Sequence, residues 1–265
     1  MSAATDLQAD DFPRRFGGVG RLYGAAALER FRAAHVCVIG IGGVGSWTVE
    51  ALARTAIGRL TLIDPDHIAE SNVNRQIHAL SGELGKAKVQ AMAERIAAIN
   101  AECRVRGIED FLSADNLPDL IPGAVDHVVD AIDSARVKAA LIAHCKRQRL
   151  PLVCAGAAGG QTDPAKIRSD DLALTQQDPL LAKTRSLLRR HYGYPRGEGR
   201  KFGVTCVYST EQLRYPEAQG GACYERPPDG GVHGLNCAGF GSSVVITAGF
   251  GLMMAGVVLN RLAAR

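Results

Sequence analysis

Gly40, Gly42, Gly43 and Gly45 are spaced as in a dinucleotide-binding turn, and they follow the apolar run His35-Val36-Cys37-Val38-Ile39 at once. Glycines there permit a tight turn and close backbone approach. The helix expected from about Gly43 then offers free N–H groups and a positive dipole end to phosphates. Asp64 ends the run Leu60-Thr61-Leu62-Ile63, roughly twenty residues past the glycines, where its carboxylate can accept from ribose hydroxyls. The combination reads as a nucleotide site, with NAD(P) and ATP both open.

Arg75 and Lys88 separate the two. Hydride transfer needs no phosphate clamp beyond the pyrophosphate, whereas nucleotidyl transfer needs cations on a polyphosphate whose charge shifts toward the leaving group. Arg75, in Ser71-Asn72-Val73-Asn74-Arg75-Gln76, and Lys88, in Gly85-Lys86-Ala87-Lys88, supply such cations. Asp133 follows the run His127-Val128-Val129-Asp130-Ala131-Ile132, at the strand end where open α/β sheets bind ligands, and is a candidate Mg²⁺ ligand. The plainer alternatives are solvated charge for Arg75 and Lys88 and a helix N-cap for Asp133.

These residues need a scaffold of alternating strands and helices. Further strands are expected at Cys103 to Ile108 and at Leu152-Val153-Cys154, and helices at Lys86 to Ile99 and Val137 to Arg149. That order specifies an α/β, Rossmann-like, doubly wound and mainly parallel sheet, with a C-terminal extension. Residues 1–14 read as a flexible tail and 15–156 as the nucleotide-binding core. Residues 157–265 continue the same domain: a strand at Lys166-Ile167, a basic helix from Pro179 to about His191, a strand at Val204 to Ser209, an irregular loop from Pro216 to Gly234, and an apolar closing helix.

With 265 residues, 46% hydrophobic and 22% charged, the chain has the composition of an ordinary soluble protein. The net charge of +4 is small, but Lys183, Arg185, Arg189, Arg190, Arg196, Arg200 and Lys201 are bunched and interleaved with His191, Tyr192 and Tyr194. This pattern suits a nucleic-acid backbone and its bases, or else a solvated basic helix. Met1 to Asp11 has no apolar core and is not a secretory signal, which points to a reducing cytoplasm. The segment from Gly239 to Leu259 is long enough to span a bilayer, yet its five glycines favour a helix buried in protein over membrane association. The seven cysteines contain no Cys-x-x-Cys pair, so a zinc ribbon is not expected. Cys206 and Cys237 are either inert thiols or candidates for a transient thioester.

Gly40, Gly42, Gly43, Gly45, Asp64, Asn72, Arg75, Lys88 and Asp133 stand where the ubiquitin-activating-enzyme-like (HesA/MoeB/ThiF) adenylating family has its motif residues, and the chain resembles that family. The resemblance implies ATP with Mg²⁺ as cofactors, Asn72 as an added nucleotide contact, and Arg75, Lys88 and Asp133 as the catalytic set. It also implies a homodimer in which Arg15 or Arg21 reaches the ATP of the second copy. Asn74-Arg75-Gln76-Ile77-His78-Ala79-Leu80, Asp130-Ala131-Ile132-Asp133-Ser134, Gly159-Gly160-Gln161-Thr162-Asp163-Pro164 and Gln177-Asp178-Pro179-Leu180 resemble the branch that dehydrates threonylcarbamoyladenosine in tRNA. For that branch the polyanion is tRNA rather than DNA, and the partners include a cysteine desulfurase and its sulfur acceptor. The alternative within the family is an adenylyltransferase for the C-terminus of a ubiquitin-like or sulfur-carrier protein. Outside it, the alternative is an NAD(P)-binding oxidoreductase.

Overall fold

The computed structural model describes residues 11–197, 199–217, 221–224 and 240–265. The strands are β1 (His35–Ile39), β2 (Arg59–Ile63), β3 (Arg104–Ile108), β4 (His127–Asp130), β5 (Leu152–Ala155), β6 (Ile167–Asp171) and β7 (Thr205–Ser209). They form one sheet in the order β3-β2-β1-β4-β5-β7-β6. All neighbours pair in parallel except β6, which runs antiparallel to β7 along the edge. The expected doubly wound, mainly parallel sheet is therefore present. Strands β1 and β4 are covered on both faces, as central parallel strands must be. Edge strand β3 instead carries exposed Arg104, and edge strand β6 exposed Arg168 and Asp170, charges that discourage further pairing.

Helices α1 (Phe12–Tyr23), α2 (Ala25–Ala33), α3 (Gly45–Arg54), α4 (Lys88–Ile99), α5 (Leu117–Leu120), α6 (Ala135–Arg147), α7 (Pro179–His191) and α8 (Val244–Ala263) surround the sheet. Helix α7 begins where the sequence places it: Asp178 accepts from the Leu181 amide and Pro179 occupies the first turn. The tail was expected to reach residue 14, but α1 already starts at Phe12. Phe12 and Phe16, one helical turn apart, bury their rings together at 5.0 Å, and the Arg32 guanidinium lies 4.4 Å over Phe12. Where the irregular loop was expected from Pro216, β8 (Tyr215–Pro216) pairs antiparallel with β9 (Ala222–Cys223).

Helix α8 is long and apolar enough to cross a membrane, and one stripe of it lies in the core. Ile246, Phe250, Met254 and Val258 are fully buried with Leu262, an i, i+4 series facing α3 and the sheet. The two helices meet closely: Thr48 Oγ1 donates to Gly251 O at 3.1 Å. A Cβ on Gly251 would lie 2.5 Å from Val44 O and 2.8 Å from Trp47 Cβ, whereas one on Gly256 would meet nothing. Gly251→Ala therefore separates α8 from α3 and should cost about 1–3 kcal/mol. Gly256→Ala should be neutral or stabilising by up to about 1 kcal/mol. Denaturant unfolding of both variants checks this, and equal stabilities would refute the close helix crossing.

Candidate active site

A cleft of about 640 Å³ opens at the carboxyl ends of β1, β2 and β4, where the strand order reverses. Its floor is the glycine turn. Gly40 has φ +84°, and a Cβ there would lie 2.8 Å from Ala131 O. A Cβ on Gly45 would lie 1.8 Å from Gly40 O, so Gly45 packs the turn from beneath, while Gly40, Gly42 and Gly43 line the cleft. Helix α3 starts without a capping side chain. Its positive dipole end lies beside the cleft-lining Gly43 and Val44, a setting that favours an anion.

Asp64 and Lys88 are each only 5% exposed, which rules out the surface-charge alternative for Lys88. The Asp64 carboxylate accepts from the amides of Ile41 and Asp66 and lies 3.8 Å from Lys88 Nζ. Burial pushes its pKa up, while Lys88 and the two amides pull the other way. Lys88 Nζ also lies 2.7 Å from Asp66 Oδ2, an acidic neighbour that the motif reading passed over. Arg75 lines the cleft with Nη1 donating to Ser71 O at 2.6 Å and Asn74 Oδ1 at 2.9 Å. Trp47 Nε1 donates to Arg75 O at 2.9 Å. Asn72 lies outside the cleft lining: its Oδ1 accepts from the Ala69 amide and shapes the turn that carries Arg75.

Asp133 is exposed in the cleft, and Ser134 rather than Asp133 occupies the N-cap of α6. Its carboxylate makes no hydrogen bond or ion pair among the described residues, which fits a hard oxygen ligand for a nucleotide-bound Mg²⁺. Asp130 behind it is a feature the sequence reading missed. Asp130 and Lys138 are both 0% exposed, with Lys138 Nζ 2.8 Å from Asp130 Oδ1, which also accepts from the Ile132 amide at 3.0 Å. Burial alone would lower the Lys138 pKa, but Asp130, together with the neighbouring Cys154 and Cys206, raises it. The pair fixes the turn that presents Asp133.

The basic segment divides in two. Lys183, Arg190, Arg196, Arg200 and Lys201 are exposed. Arg185 is tied to Thr175 and to the Leu172 carbonyl, and Arg189 donates to Pro195 O at 3.3 Å and lies over Phe202. These two arginines hold local structure. Near the N-terminus, Arg15 is tied to Asp11 Oδ2 at 2.7 Å and Ile99 O at 2.9 Å, whereas Arg21 is exposed and makes no ion pair among the described residues. Cys206 is fully buried in β7 away from the cleft lining, and Cys237 lies outside the described residues.

Removing one partner of the Asp130–Lys138 pair leaves a buried charge uncompensated. Lys138→Met should cost about 3–5 kcal/mol in denaturant unfolding near neutral pH. Wild-type stability would mean that no ion pair holds the turn.

The ThiF family matches residues 18–263. The chain is 49% identical to tRNA threonylcarbamoyladenosine dehydratase of Escherichia coli (strain K12), covering 97% of this chain and 96% of that protein. It is also 49% identical to the dehydratase of the same description from Haemophilus influenzae, covering 99% and 98%. The solved E. coli dehydratase in complex with ATP superposes with TM-score 0.85 at 47% identity, covering 97% of this chain and 96% of that one. The sheet, the glycine turn and these similarities agree, and the chain belongs to the ThiF family.

Proposed function

We propose that the chain is an ATP-dependent tRNA threonylcarbamoyladenosine dehydratase, which closes the threonylcarbamoyl side chain of an adenosine beside the anticodon with net loss of water. The observation that carries this reading is 49% identity along nearly the whole of two curated dehydratases. Adenylation supplies the chemistry. The side-chain carboxylate attacks the α-phosphorus of ATP, and pyrophosphate leaves. The carbamoyl group of the same side chain then attacks the activated acyl carbon, and AMP departs with the former carboxylate oxygen. The second step gains from being intramolecular.

In this reading the turn from Gly40 to Gly45 holds phosphates with its amides, and Asp64 accepts from ribose hydroxyls. Arg75 and Lys88 steady the negative charge that grows on the leaving pyrophosphate. Asp133 holds Mg²⁺, which when bound neutralises phosphate oxygens. A homodimer belongs to the same proposal, with Arg21 rather than Arg15 reaching the ATP of the second copy, because the contacts of Arg15 hold it to its own chain. Residues 15–156 act as the ATP-binding part and 157–265 as the tRNA-binding part. The exposed Lys183, Arg190, Arg196, Arg200 and Lys201 meet the tRNA backbone in the cytoplasm. A cysteine desulfurase and its sulfur acceptor complete the proposed partners.

Mass analysis of tRNA nucleosides, with and without the enzyme and ATP, tests the function directly. Cyclised product formed only with both is expected; pyrophosphate release driven instead by a small protein ending in Gly-Gly would favour a carrier-activating enzyme. Lys88→Ala and Arg75→Ala should each lower kcat on the order of a hundredfold, with circular dichroism unchanged. Near-normal turnover in both would remove the phosphate-clamp assignment. An ¹⁸O label in the substrate carboxylate should appear in AMP after ring closure. Label in inorganic phosphate beside ADP would replace the adenylate with an acyl phosphate.

A further inference from the structure

Two shallow pockets lie side by side along α7, separated from the cleft by the chain at Asp178–Leu180. Leu180 lines the cleft, while Asp178 and Pro179 line the first pocket. That wall is pinned, since the Asp178 carboxylate accepts from the Ala157 amide on the cleft side at 2.9 Å and from the Leu181 amide at 2.9 Å. The first pocket, about 370 Å³, is walled by Gln177, Arg185, Gln212, Tyr215 and Tyr224. The second, about 360 Å³, shares Ala182 and Arg185 with it and adds Arg189, Arg190 and Arg196. Together they make one groove, aromatic at the end beside the cleft and cationic at the other.

The aromatic end is built to stack a planar group. Tyr224 is 50% exposed, and the Arg214 guanidinium lies 5.4 Å from its ring centroid. The Tyr215 ring is steadied against Phe240 at 5.4 Å. Gln177 and Gln212 bring carboxamides that can donate to and accept from a base edge. Among the described residues the one carboxylate in the wall, Asp178, already has both oxygens engaged by amides. Farther along, Arg190 and Arg196 are exposed and offer guanidinium forks to phosphate. Single-stranded RNA is recognised by this pairing of aromatic stacking with backbone cations, because loop bases can be splayed out of their stack.

We propose that this groove holds one nucleotide of the anticodon loop next to the adenosine whose side chain enters the cleft, its base against Tyr215 and Tyr224 and its phosphate against Arg190 and Arg196. The assignment rests on the dehydratase reading and gives it an address for the loop. Among the described residues, the wall at Asp178–Leu180 stands between the groove and the cleft. Adjacent nucleotides of one strand can therefore straddle it, which makes the flanking base part of substrate selection.

The test uses the full-length enzyme with ATP and an anticodon stem-loop carrying 2-aminopurine in place of the base on either side of the modified adenosine. Stacking on tyrosine should quench the probe at one of the two positions in the wild type and in Tyr224→Phe, and the quenching should vanish in Tyr224→Ala. The KM of Tyr224→Ala for tRNA should rise about tenfold, with the KM for ATP unmoved. Its salt dependence of tRNA binding should keep the wild-type slope, since stacking releases no counterions, whereas Arg190→Glu should flatten that slope. Equal quenching in wild type and Tyr224→Ala, or a wild-type KM for tRNA in Tyr224→Ala, would overturn the subsite while leaving the dehydratase reading standing. Failure of the wild-type enzyme to form cyclised product would remove that reading and the subsite together.

Discussion

The close approach of two strand ends governs this molecule. Gly40, just past β1, sits with its Cα so near Ala131, just past β4, that a side chain at Gly40 would collide with the Ala131 carbonyl. Gly45 packs as tightly beneath Gly40. Because β1 and β4 are neighbours whose connections leave in opposite directions, a crevice must open between their ends. The glycines let backbone amides rather than side chains form its floor. From that floor the other parts take their positions: α3 starts at Gly45, and α8 packs on α3 through Gly251. Trp47 of α3 then holds the Arg75 carbonyl. A side chain at Gly45 would therefore disturb the glycine floor of the cleft, the main helix crossing and the segment carrying Arg75 together.

Charge in the walls follows the same economy. Buried charges are tolerated when paired and hydrogen-bonded, and the cleft keeps two kinds. Asp130 and Lys138 are sealed behind it and shape backbone. Asp64 and Lys88 are buried yet face it, and Asp133 and Arg75 stand in its opening. His78, buried near Lys88 and Arg95, has its pKa pushed down to about 4, chiefly by burial. It therefore stays neutral near pH 7 and adds no further positive charge beside Lys88.

Much of this was legible in the chain. Glycine spacing, apolar runs and the acidic or basic residue after each run are local signals, and they located the turn, Asp64, Arg75, Lys88 and Asp133 along with the parallel sheet. What stayed hidden depends on which side chains meet across the fold. Asp130 ends a strand in the manner of many aspartates, and nothing local says that Lys138, eight residues on, turns inward to meet it. Arg185 and Arg189 look like their exposed neighbours in sequence, yet the helical period sends them toward Thr175 and Phe202. Asn72 is part of a recognisable motif, and only the fold shows that its Oδ1 is spent on the Ala69 amide. The antiparallel direction of β6 escaped for a related reason. A strand of Ile, Arg, Ser and two aspartates carries an edge signal but no direction.

The arrangement around Lys88 bears on how such a site can be both stable and receptive. Lys88 is buried, and an ammonium at that depth without an anion would be costly. Asp66, itself largely exposed, supplies the anion at 2.7 Å, while the more deeply set Asp64 stays at 3.8 Å. A polyphosphate entering the cleft presents several anionic oxygens to the same ammonium. It can take the place of Asp66, which returns to water at little cost because its side chain is 61% exposed. Asp64 has no such freedom, because two backbone amides hold it. In the proposed reading Asp64 is thus a fixed acceptor for ribose and Asp66 a displaceable counterion, so the Lys88 side chain is oriented before ATP arrives. Electrostatic catalysis depends on preorganisation of this kind: under the proposed phosphate-clamp role, the group that would meet the leaving pyrophosphate is already in place and needs no reorientation at the moment of transfer.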